Sequence, residues 1–85
     1  MKQLAILKII YDFLKTNSAT IGDIINYLQT QNITRSDRQV KRDVKDVIEF
    51  FLNENEQMYI SVPVRANHYQ IVSKNQNKKL WVHLT

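Results

Sequence analysis

Thr34-Arg35-Ser36-Asp37-Arg38-Gln39-Val40-Lys41-Arg42-Asp43-Val44-Lys45-Asp46-Val47 is the stretch on which the fold of this chain turns. Val40, Val44, Val47, Ile48 and Phe51 recur at offsets of four, seven, eight and eleven, one stripe of an α-helix. At ~100° per residue, Arg38, Arg42, Lys45 and Glu49 fall near the opposite side, with Lys41 on one flank and Gln39 and Asp46 on the other. Arg35, Arg38, Lys41, Arg42 and Lys45 are five of the chain's twelve basic residues. The pattern predicts a helix over residues 36–53, apolar on one side and basic on the other, with Thr34 and Ser36 offering hydroxyl caps at its start. Asp43 lies nearer the apolar stripe than its basic neighbours. It is expected to be a structural carboxylate that takes a hydrogen bond or salt bridge at the core margin, because facing a polyanion would repel it.

Two more helices are predicted upstream. Residues 3–15 place Leu4, Leu7, Ile10, Tyr11 and Leu14 on one face. Thr16-Asn17-Ser18 breaks that helix, and Thr20 followed by Asp23 resembles a capping box with aspartate in place of glutamate. The second helix then turns Ile21, Ile24, Ile25 and Leu28 inward and ends near residues 29–31, where Asn32 suits the left-handed conformation that closes many helices. Gly22, the only glycine, stands in its first turn, as either a point of close helix approach or a merely tolerated residue.

Downstream the period changes from that of a helix to that of a strand. Residues 58–62 and 68–72 are short β-branched and aromatic runs, separated by Pro63-Val64-Arg65-Ala66-Asn67. This is a β-hairpin, with Pro63 at a strand end or in the loop because it has no N–H for a ladder. His68 reads as a polar strand residue, and Tyr11, Tyr27 and Tyr59 as core or core-edge residues. Residues 74–79 are polar and read as a connection. In residues 80–85, Trp81 and His83 alternate with Leu80, Val82 and Leu84 as in a half-buried strand.

Composition bounds what such a chain does. Its 85 residues, 44% apolar and 24% charged, suit one small globular domain, and no apolar run approaches the ~20 residues that cross a bilayer. No secretory signal is expected, since Tyr11, Asp12 and Lys15 interrupt the early apolar run; a cytoplasmic location follows. With no cysteine and only His68 and His83, neither disulfides nor a zinc cage are expected. No glycine-rich phosphate loop, nucleophile with base or paired carboxylates stand out, so the chain is not expected to be an enzyme, to hold a cofactor or metal, or to bind a small molecule. The net charge of +4 favours polyanions only weakly; its concentration at residues 35–45 and at Lys74, Lys78 and Lys79 says more.

Three helices, with a tight turn between the second and third, and then a hairpin give an α+β, mainly helical fold: a winged helix-turn-helix over residues 1–73, with residues 74–85 as a C-terminal extension. The block Arg38-Gln39-Val40-Lys41-Arg42-Asp43-Val44-Lys45-Asp46-Val47 resembles the Arg-Thr-Ile-x-Arg-Asp-Leu-x-x-Leu pattern of DeoR-type winged helices, including the N-terminal domains of bacterial WYL-domain regulators. Asn67-His68-Tyr69-Gln70-Ile71 resembles the Gly-Gly-Tyr-x-Leu of their second wing strand. Gln39 stands where that pattern has threonine, and Asn67-His68 where it has glycines. The resemblance implies bacterial or phage DNA binding and transcription regulation, with Arg38, Lys41 and Arg42 on the DNA-facing helix and Arg65 in the wing.

The DNA-contacting set expected is Arg35, Ser36, Arg38, Gln39, Lys41, Arg42, Lys45 and Arg65. Arg38, Gln39 and Arg42 would meet base edges; Arg35, Lys41, Lys45 and Arg65 would meet phosphates of double-stranded DNA; and a homodimer would set two copies on successive major-groove faces. The alternative is a winged-helix module whose basic face meets an acidic protein partner. Helix pairs such as Asp37 with Lys41 or Arg42 with Asp46 contribute only about 0.2–0.5 kcal/mol each, too little to account for such a cluster.

Overall fold

The structure, a computed structural model, describes residues 3–61 and 67–73. Three helices, α1 (Gln3–Thr16), α2 (Ile21–Thr30) and α3 (Asp37–Phe50), precede strands β1 (Glu56–Ser61) and β2 (His68–Ser73), which pair as an antiparallel hairpin. This is the winged helix-turn-helix arrangement. Among the described residues no helix is long and apolar enough to cross a membrane.

The core forms where the inner stripes of all three helices meet the inner face of the hairpin. Ile6, Leu7, Ile10 and Leu14 of α1, Ile24 and Leu28 of α2, and Val40, Val44 and Val47 of α3 join Ala19, Ile33 and Ile71. Leu4, expected on the inner face of α1, is 68% exposed, while Ile6 is buried. The inward line of α1 runs through Gln3, Leu7, Ile10 and Leu14, and Leu4 falls on the flank with Lys8, Tyr11 and Lys15. In α3 the stripe is displaced likewise: Ile48 is 42% exposed and Asp43 takes a fully buried position. The helix also stops three residues short of the expected end, its last turn closed by the Phe51 N–H donating to the Val47 carbonyl at 2.9 Å.

Between α2 and α3 the chain makes a Schellman turn. Asn32 has φ 62°, its N–H donates to the Gln29 carbonyl, and the Ile33 N–H reaches back to that of Leu28 at 2.9 Å. Ile33 is thereby driven into the core beside Leu28, which fixes where α3 can begin. Gly22 makes no close helix approach, since a Cβ there would meet only Thr20 Oγ1 at 3.7 Å.

The register pairs Met58 with Ile71 and Ile60 with Tyr69, placing all four on the inner face. Tyr59 has the opposite parity and is 51% exposed, so it is not the core-edge residue expected. β2 also pairs on its other side: Ala19, between α1 and α2, donates to the Tyr69 carbonyl at 3.0 Å and accepts from its N–H at 2.7 Å. The wing is thus hydrogen-bonded into the helical body. Its tip, with Pro63 and Arg65, and residues 74–85, with the expected strand at 80–85, lie outside the described residues.

Candidate nucleic-acid interface

The start of α3 is set by a capping box. Ser36 Oγ accepts the Gln39 N–H at 3.2 Å, and Gln39 Oε1 accepts the Ser36 N–H at 2.9 Å. Two N–H groups that the start of a helix leaves without backbone partners are satisfied in this reciprocal way. Ser36 and Gln39, both expected at DNA, are exposed but already bonded to each other.

Arg35 is turned the other way. Its Nε donates to Asp43 Oδ2 at 3.0 Å and its Nη2 to Asp43 Oδ1 at 2.8 Å, leaving the arginine side chain 15% exposed and the aspartate 0%. Gln3 Nε2 from α1 adds a third donor to Oδ1 at 2.7 Å. A carboxylate without water needs such partners, because a lone buried charge costs several kcal/mol. Arg35, expected at a phosphate, is thus drawn inward to Asp43, the one charged side chain that is buried among the described residues. Asp43 has the structural place expected of it, and Gln3, which sequence reading missed, stands on the inner line of α1 one turn before Leu7.

Arg38, Lys41, Arg42 and Lys45 come together. All four are exposed and line one open depression of about 320 Å³ on the outward side of α3. Lys41 lies 3.8 Å from Asp37, a pair with both side chains about two-thirds exposed and worth well under ~1 kcal/mol. Among the described residues Arg38, Arg42 and Lys45 have no acidic group within 4.0 Å. Three guanidinium and ammonium groups thus stand in water with no counter-charge within 4.0 Å among the described residues, which suits capture of an anion.

A second depression of about 320 Å³ adjoins the first and shares Lys41 and Lys45 with it. It is apolar, lined by Val44 and Ile48 of α3 and by Ile60 and Tyr69 of the hairpin. No periodicity within one element predicts it, because it arises where two elements diverge. Arg65, expected in the wing, lies outside the described residues, and among those described no group of acidic and histidine residues is placed to hold a metal ion.

The hairpin root is held to α1 by a separate cluster. Tyr11 Oη donates to both Glu56 carboxylate oxygens at 2.8 and 3.0 Å, and Lys15 Nζ lies 3.5 Å from Oε2. Burial alone would raise the Glu56 pKa, but the hydrogen bonds from Tyr11 and the Asn53 N–H, with the charge of Lys15, outweigh it and hold the carboxyl below its ordinary value. In comparisons with known proteins, no family model, no curated protein and no solved structure matches this chain.

Proposed function

We propose that this chain is a DNA-binding module of a cytoplasmic transcription regulator, of the DeoR-like kind, which lays α3 in the major groove and its wing on the neighbouring backbone. The observation that carries this proposal is the outward face of α3, where Arg38, Lys41, Arg42 and Lys45 share one depression and three of them lack a counter-charge among the described residues. The same helix is fixed to the body by Val40, Asp43, Val44 and Val47, so its charged side is presented rigidly. Rigid presentation of cations on a helix of groove-fitting width is what duplex binding requires. A homodimer would double the contact on a two-fold site.

A salt titration against random duplex DNA tests this. Affinity is expected to fall with a log–log slope of about 0.9 per phosphate neutralised, Lys45→Ala to lower that slope by about one, and Arg42→Ala to weaken binding. Absent or salt-insensitive binding, unchanged in both variants, would sink the proposal. One observation favours the second reading, a protein-interaction module: the apolar depression between α3 and the hairpin would accept a partner's side chains beside Lys41 and Lys45. That reading gains if an acidic protein, and not DNA, protects those lysines from acetylation.

A further inference from the structure

Gln39 stands at the third position of α3, where a glutamine in a major groove is the usual reader of adenine, its oxygen accepting from N6 and its nitrogen donating to N7. Here the oxygen is already engaged. Oε1 accepts the Ser36 N–H at 2.9 Å, and because that partner is a donor, the amide can be oriented only one way. Reading adenine with both amide atoms means giving up the bond to the Ser36 N–H, a loss that a free amide would not bear.

Arg38 and Arg42 are differently placed. They stand one helical turn apart, line the same depression and have no acidic partner among the described residues. Four residues advance about 6 Å along the axis, close to two base-pair steps of ~3.4 Å. A guanidinium presents parallel donors and no acceptor, so it matches O6 and N7 of guanine and cannot satisfy the amino groups of adenine or cytosine.

We infer that this chain discriminates guanine through Arg38 and Arg42, at positions about two base pairs apart, and that Gln39 is a helix cap and not an adenine reader. The inference rests on α3 being the DNA-facing helix.

The test is selection of bound duplexes from a randomised pool by the full chain and by Arg38→Ala, Arg42→Ala and Gln39→Glu, with affinity for unselected duplex measured separately. Enriched sites are expected to carry guanine at two positions. Each arginine variant should lose one of them, with a drop of roughly 5- to 100-fold at the selected site. Gln39→Glu should keep both, since glutamate closes the same capping box. Salt-dependent binding without guanine preference, a preference surviving both arginine variants, or an adenine position lost with Gln39→Glu would overturn the base assignment while leaving DNA binding intact. No binding to any duplex would overturn both.

Discussion

Asp43 shows how one buried charge sorts its neighbours. It takes three hydrogen bonds from Arg35 and Gln3, and so removes Arg35 from the exposed basic set while joining α1, the interhelical turn and α3 at one point. Asp43→Ala would leave the guanidinium, only 15% exposed, without its partner, and an unfolding free energy lower by about 3–5 kcal/mol is expected from urea denaturation. Exposed Arg42→Ala should stay within about 0.5 kcal/mol in the same assay. Asn32 carries a smaller local burden. Its φ of 62° is tolerated by asparagine and glycine but costs a Cβ-bearing residue without a local polar side chain about 1 kcal/mol, so Asn32→Ala should lose roughly that and Asn32→Gly should not. The structural role of Asp43 and the turn at Asn32 are legible in the sequence, since each follows from residue type and position in a local pattern. Arg35 and Gln3 are not, because their roles depend on a partner eight and forty residues away.

Period predicts the helices and strands, and the deviations from it are ones of phase. The three valines of α3 are buried as the stripe demands, but Ile48 yields its inward place to Asp43, and Leu4 to Ile6. A stripe gives a side of a helix only to within about one residue's rotation, ~100°, and the neighbouring element settles the remainder. The hairpin root offers a pH test of element-to-element attachment. Glu56 is held below its ordinary pKa, so its contribution is complete above about pH 4.5 and disappears as pH falls through the lower folded value. Tyr11, raised by burial and then by its bond to Glu56, and Lys15, raised by the neighbouring Tyr11 side chain and the Glu56 charge, contribute fully below their ordinary values near 10 and 10.5 and lose this as pH rises further. Stability from this cluster should therefore be flat through neutrality. Tyr11→Phe should cost about 1 kcal/mol at pH 7 and less at pH 3, where Glu56 is increasingly protonated, as read by chemical denaturation at both pH values.

At the scale of the molecule, two adjoining depressions divide the exposed side of α3 into a basic part and an apolar part that share Lys41 and Lys45. The basic part is foreseeable because one helix supplies it. The apolar part needs the hairpin's register, and so does the second pairing of β2, in which Ala19 bonds to Tyr69. Ala19→Pro removes one donor and leaves the Tyr69 carbonyl without it; a loss of about 1–3 kcal/mol in thermal or urea unfolding is expected, with the wing amides exchanging faster than those of α1. The pair also has a consequence for how the chain reaches its native state. Residues 19 and 69 enclose α2, α3 and β1 between them, so closing their pair gathers most of the described chain into one large ring. Such a closure carries the entropy of a long loop and returns little until the helices have shortened the path, whereas each helix forms from neighbours in sequence. The helices are therefore expected to assemble early and the Ala19 amide to acquire protection last, an order that pulsed hydrogen exchange during refolding would read directly.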